Sequence, residues 1–230
     1  LQTGGSDQWG NLTSGTDLIH RVEGTSVHAI GTPLITNTDG TKFGKSEGNA
    51  IWLDPTLTSP YAFYQFWINT SDDDVVSRLK VFTFLPSDEI ERLERATAEA
   101  PFRREGQRVL ASEVTALVHG AAAADNVIRA SEALFGGGTI DDLDPATLTD
   151  ALRATPNITV EPGITVVHAL LETKLTSSLS EARRAIAQGG VYLNNVKVED
   201  ESSVIAAGAL TSGVAVLRRG KRTIAGVFAG

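Results

Sequence analysis

The 230 residues carry 20 Lys/Arg against 28 Asp/Glu, a formal net charge of −8 that excludes an overall cationic coat for nucleic acid but leaves room for a local basic patch. There is no cysteine, so disulfides, thiolate metal sites and cysteine nucleophiles are excluded, and no apolar run approaches the roughly 18 residues that a membrane helix needs. With 41% hydrophobic residues the chain can build the core of one large domain or of two to three small ones, and a soluble cytoplasmic protein is the expectation. Leu1 is not a start methionine and the sequence has no methionine at all, which reads as a piece beginning inside a domain. His20, His28, His119 and His168 stand singly, none at metal-ligand spacing, and read as structural.

The chain opens as the end of a short strand, Leu1-Gln2-Thr3, followed by Gly4-Gly5 and by polar residues that can start a helix, with Asp7 placed as an N-cap or first-turn residue. Leu12, Leu18, Ile19 and Val22 recur at helical spacing and Gly24 suits the helix end. A strand running through Gly-Gly into a helix is where open α/β sheets bind ligands, although a tight turn without a ligand gives the same pattern. Leu34-Ile35-Thr36, after Pro33, predicts a second short strand, and Asp39-Gly40 a tight turn into Lys42-Phe43-Gly44-Lys45-Ser46. Glycines give that loop backbone freedom, while Lys42 and Lys45 bring compact charges on long arms and Ser46 a hydroxyl donor. This composition suits a phosphate grip, although taken by itself it reads first as an exposed solubilising turn.

Ser59-Pro60 predicts a capped helix start, and Tyr61 to Trp67 an aromatic helix. Ser71 with Asp74 opens a second helix, Pro86-Ser87 a third, Phe102 to Val118 a fourth and Ala121 to Leu134 a fifth. Gly136-Gly137-Gly138 interrupts the helical pattern. Residues 139–162, acidic and punctuated by Pro145, Pro156 and Pro162, read as a linker with a short helix at 145–153. Thr165 to Leu171 predicts a helix, Ser178-Leu179-Ser180-Glu181 a capping box opening another, and Gly189-Gly190 its end. Val191 to Val198 alternates on both sides of Asn194-Asn195, the pattern of a β-hairpin whose turn needs positive φ. Val214 to Leu217 runs as a strand into Arg218-Arg219-Gly220-Lys221-Arg222, and Ile224 to Phe228 follows.

Residues 161–230 hold eight Lys/Arg against six Asp/Glu, whereas residues 1–160 hold 12 against 22. The last cluster, beside the helix bearing Arg183 and Arg184, suits contacts along an RNA backbone, and a solvated surface turn is the competing reading.

Three segments taken together, Gly4 to Asn11, Lys42 to Ser46 and Ser59 to Trp67, closely resemble bacterial tyrosyl-tRNA synthetases, class I aminoacyl-tRNA synthetases. The Lys-Phe-Gly-Lys-Ser loop is similar to that family's form of the KMSKS signature, and Ser178 to Val198 resembles the RNA-binding domain of ribosomal small-subunit protein S four. The resemblance implies a multidomain α/β and α protein. Residues 1–58 would be the C-terminal part of a Rossmann-type catalytic domain, 59–138 an all-α anticodon-binding domain, 139–162 a linker and 163–230 a small α+β RNA-binding domain. It also implies ATP-dependent activation of tyrosine and its transfer to tRNA(Tyr).

By position, the resemblance assigns Lys42, Lys45 and Ser46 to catalysis at the triphosphate, and Asp7 and Gly5 to the adenylate, Asp7 accepting from the ribose hydroxyls. It assigns Gln2 and Gln8 to tyrosine, and Arg183, Arg184, Arg218, Arg219, Lys221 and Arg222 are the candidate RNA contacts. ATP, as its magnesium complex, is the implied co-substrate, with no protein-bound metal and no membrane. The family's HIGH-type motif and the residues that read the tyrosine hydroxyl do not occur in the sequence, so the chain is not expected to activate tyrosine alone. Homodimerisation is implied through that same portion. A free RNA-binding module and a tryptophanyl-tRNA synthetase are the alternative readings.

Overall fold

The computed structural model describes residues 1–38, 40–41, 43, 51–135, 140, 142–220 and 223–230. The chain divides into two compact units, Leu1–Ile51 and Trp52–Gly230.

In the first unit, β1 (Gln2–Gly5) leads through a single 3-10 turn, Ser6–Gln8, into α1 (Trp9–Glu23), and β2 (Ala29–Thr32) returns parallel to β1 with Gly5 opposite Thr32. Gly24, at φ 66°, ends α1 in the left-handed conformation that a residue without Cβ adopts at little cost. α1 packs on both strands and buries Leu12, whereas Leu18 and Val22 stay exposed. β2 at Ala29–Thr32 is a strand the sequence reading does not contain, and of the strand expected at Leu34–Thr36 only Thr36 forms a β-bridge. Pro33 has no N–H to donate and closes β2, and the Leu34-Ile35-Thr36 stretch becomes the first arm of a tight hairpin. There Asn37 N–H donates to Thr41 O (2.8 Å), Phe43 N–H to Ile35 O (3.1 Å), and Gly40, at φ 82°, donates to Asn37 O.

The second unit begins with α2 (Pro60–Ile68), whose first turn is capped by Ser59 Oγ accepting from Ala62 N–H. Tyr61, Phe63, Tyr64 and Trp67 are all buried, and α2 packs against α5 (Glu105–His119) and α6 (Ala121–Leu134). α3 (Asp72–Phe82) has the capping box read from Ser71 and Asp74, and α4 (Ser87–Glu99) follows Pro86. The fourth helix begins later than Phe102. Pro101–Arg103 make a separate 3-10 turn and Arg104 sits at φ 50°, where its guanidinium donates to Ile68 O (2.6 Å) and Thr70 O (3.2 Å). Those two carbonyls hold Arg104 outside the helix.

α7 (Pro145–Arg153) occupies the span of the expected short helix, capped by Asp144, whose carboxylate accepts from Thr147 N–H and Oγ1–H and is held below the usual carboxylate range by those bonds. It packs on α2 and α6 and on a terminal sheet, so the stretch 139–162 carries packed structure. That sheet, among the described residues, runs in the order β3 (Asn157–Val160), β7 (Thr223–Ala229), β6 (Val214–Arg219), β4 (Val191–Leu193), β5 (Val196–Lys197), with only β3–β7 parallel. One face is covered by α8 (Val166–Glu172) and α9 (Leu179–Ala187) over a core that includes Leu170, Ile186, Val191, Ile205, Leu217 and Val227. The hairpin turn is as read: Asn194 and Asn195 sit at φ 48° and 63°. The Asn194 side chain bonds Ala209 O and Val216 N–H, and Asn195 Nδ2 donates to Ala133 O at the end of α6 (2.9 Å).

On the opposite face α7 approaches β7 at Gly226, where an added Cβ would lie 3.0 Å from Leu152 Cβ and 3.2 Å from Leu152 O. The backbone oxygen cannot turn away as a side chain can. Gly226→Ala is therefore expected to lose about 1–3 kcal/mol through overpacking, read as a lowered midpoint in urea unfolding.

Candidate functional site

The first unit places a strand–turn–helix crossing at the carboxyl ends of two parallel strands, the position where open α/β sheets leave a crevice. The bare backbone of Gly5 leaves room there for two side-chain ends. A Cβ on it would lie 2.8 Å from Asp7 Oδ1 and 2.9 Å from Leu34 Cδ2. The Asp7 carboxylate thus lies against bare backbone, and Leu34 brings the start of the Ile35–Phe43 hairpin to the same point. Asp7 belongs to the 3-10 turn and does not cap α1, whose N-cap, Gln8, makes no side-chain capping bond. Asp7 and Gln8 are exposed, and Gln8 Oε1 accepts from Asn11 Nδ2 (2.7 Å).

Gln2 and Gly4 share the face of β1 under α1. A Cβ on Gly4 would meet Gln8 Cβ at 3.2 Å, and one on Gly15 would meet Gln2 Oε1 at 2.9 Å. The structure therefore brings Gly5, Asp7 and Leu34 together on one side of β1 and sets Gln2 and Gln8 on the other. Lys42, Lys45 and Ser46 lie outside the described residues, although Thr41 and Phe43, on either side of Lys42, are both tied into the hairpin.

The candidate RNA contacts separate by role. Arg219 Nη1 donates to Leu175 O (2.6 Å) and its Nη2 to Glu181 Oε1 (2.7 Å), an internal strut between β6 and the start of α9. Glu181 Oε2 also accepts from Ser177 Oγ–H and N–H, so the capping carboxylate reaches one residue beyond the Ser178 cap. Arg183 pairs with Glu201 at 3.6 Å and, like Arg184, is exposed on α9. Arg218 lies over a ring: its guanidinium carbon is 4.1 Å from the Tyr192 centroid, and Nη1 donates to Gly220 O (3.0 Å). Lys221 and Arg222 lie outside the described residues. Tyr192 and Lys197, which a charge cluster does not single out, stand in register with Arg218 across β6, β4 and β5. The alternation of the hairpin was the signal that could have found them.

Two family models match. One, tRNA synthetases class I (W and Y), covers residues 1–136, more than half of the chain. The chain belongs to the class I tRNA synthetases of that W and Y group. This synthetase chain also matches the tyrosine--tRNA ligase SYY-like C-terminal domain over residues 147–225. It is 68% identical over 229 residues to the tyrosine--tRNA ligase of Leifsonia xyli, covering 99% of this chain and 52% of that protein. It is also 56% identical to that of Streptomyces avermitilis, covering 99% and 54%. The chain therefore spans about half the length of these curated relatives. A C-terminally truncated mitochondrial tyrosyl-tRNA synthetase from Aspergillus nidulans superposes with a TM-score of 0.47 at 36% identity, over 55% of this chain and 36% of that one. Among the described residues of the synthetase chain, no helix is long and apolar enough to cross a membrane, and no group of three or more His, Asp or Glu could hold a metal.

The Glu181 carboxyl is held far below the usual range, at about 2 against 4.5, by the Ser177 hydroxyl, then the Ser177 amide, then Arg219. Its contribution to stability is present in full above pH 4.5 and is lost as pH falls through the folded value. Glu181→Gln should lower the thermal midpoint most above pH 5, and the gap to the parent should close as both are titrated toward pH 2. A gap independent of pH would contradict this role.

Proposed function

We propose that this chain is the carboxyl-side part of a tyrosine–tRNA ligase, supplying the phosphate clamp for tyrosyl-adenylate formation and the RNA-binding surface for tRNA(Tyr). The observation that carries this reading is the Gly5–Asp7–Leu34 contact, which sets a carboxylate over bare backbone beside Leu34, the residue before the Ile35 carbonyl that accepts from Phe43 N–H. In the activation step the tyrosine carboxylate attacks the α-phosphorus of ATP and pyrophosphate leaves. Asp7 accepts from the ribose hydroxyls, with the backbone of Gly5 leaving room for the sugar. Lys42 and Lys45, with Ser46, neutralise the charge that grows on the departing pyrophosphate, an interaction stronger in the transition state than in the bound ground state. Gln8 faces the reacting end of tyrosine and Gln2 the amino acid.

We divide the chain as 1–58 catalytic, 59–138 helical and anticodon-binding, 139–162 connecting and 163–230 RNA-binding. Homodimerisation through residues beyond this sequence and a cytoplasmic location belong to the same reading. Tyrosine is favoured over tryptophan because the match at 147–225 is to a tyrosine--tRNA ligase C-terminal domain and the curated relatives carry that name. Arg183, Arg184, Arg218, Lys221 and Arg222 contact the RNA, and Arg219 serves that surface by bracing it.

In a protein of the relatives' full length that carries this sequence, ATP–pyrophosphate exchange is expected with tyrosine and not with tryptophan. Lys45→Ala should slow that exchange about 10²–10³-fold, the usual cost of one donor to a developing charge, with tyrosine affinity nearly unchanged. Exchange at the parent rate in that variant would refute the clamp, and exchange driven by neither amino acid would point to an RNA-binding module without ligase activity.

A further inference from the structure

Resting on the RNA-binding reading above, we propose that Tyr192 and Arg218, flanked by Lys197, form a stacking platform that receives an unpaired base of the tRNA. The register puts the three side chains in one row across neighbouring strands: Lys197 opposite Tyr192, and Tyr192 opposite Arg218. The row belongs to the sheet face that does not hold α8 and α9, because β6 alternates and its Ala215 and Leu217 face that helical layer. On the row's own face the inner part is filled, with Val214, Val216 and Ile224 buried and Leu152 of α7 against Gly226. Tyr192 and Arg218 stand at the outer part and are half-buried.

The chemistry of the row differs from that of a solubilising patch. Arg219 is neutralised by Glu181, whereas among the described residues no carboxylate pairs with Arg218. Arg218 is held by its stack on the ring and by Gly220 O, and its Nε is buried with no hydrogen-bond partner. A planar cation fixed in that way offers a flat surface with a full positive charge, which suits the π-face of a base beside a phosphate and is a usual means of taking splayed-out RNA bases. Lys197 adds a point charge at the edge. Its arm lies across Gly189, where a Cβ would come within 2.6 Å of Cε, and Gly220 N–H donates to Gly190 O, so two glycine turns close around the same end of the sheet.

The decisive variant is Arg218→Lys, which keeps the charge and removes the plane. In tRNA(Tyr) binding by the full chain, Arg218→Lys and Tyr192→Leu should each weaken affinity about tenfold, within the roughly 5- to 150-fold that one stacked base contributes, while the salt dependence is unchanged. Arg218→Ala should also lower the salt slope by about one. Tyr192→Phe keeps the ring and should bind as the parent does, which separates loss of stacking from loss of folding. Ultraviolet crosslinking should attach tRNA to the peptide containing Tyr192. Parent-like binding by Arg218→Lys, or crosslinks confined to other peptides, would overturn the platform while leaving RNA binding intact. Failure of the parent chain to bind tRNA(Tyr) at low salt would instead overturn the RNA-binding reading itself, and the platform with it.

Discussion

The close approach of α7 to the terminal sheet at Gly226 is the contact on which the second unit depends. α7 touches α2 and α6 on one side and β7 on the other, so it is the shared wall between an aromatic helical core and an aliphatic sheet core. The missing side chain at Gly226 lets Leu152 lie directly on the strand. Once α7 is seated there, the two faces of the sheet are used unequally. α8 and α9 cover one face, while α7 covers only the inner part of the other and leaves Tyr192 and Arg218 at its margin. The position of the Tyr192–Arg218 row follows from the packing of the apolar face of α7, Leu148, Ala151 and Leu152.

Local chemistry made much of this legible from sequence. Ser59, Ser71 and Ser178 cap the helices they announce, because a short side-chain oxygen satisfies amides that the first turn leaves bare. Asn194-Asn195 forms the expected turn because asparagine tolerates positive φ. The misplacements share a different cause. Ala29–Thr32 lacks the run of branched residues that signals a strand and is recruited by pairing with β1. The delayed start of α5 comes from two carbonyls over thirty residues away in sequence that hold Arg104, and β3 exists because β7 offers an edge. None of these partners is visible in a local window.

The candidate sites divide along the same line. The Gly4-Gly5 turn and the carboxylate after it were legible because a tight strand-to-helix crossing needs those residue types. The internal commitment of Arg219 was not. Adjacent arginines on a strand look alike in sequence, yet alternation sends Arg219 to Glu181 and Arg218 to the Tyr192 ring. One is charge used to hold the fold, and the other is charge left on the surface.

The Asn195–Ala133 hydrogen bond has a bearing on shape. It fastens the tip of the β4–β5 hairpin to the last turn of α6, while α7 fastens the base of the sheet to the same helical core. The sheet is thereby joined to the helices at two separated points. The helical and sheet surfaces then behave like the jaws of a gauge set to one opening. Any partner that touches both surfaces must match that opening with its own three-dimensional outline.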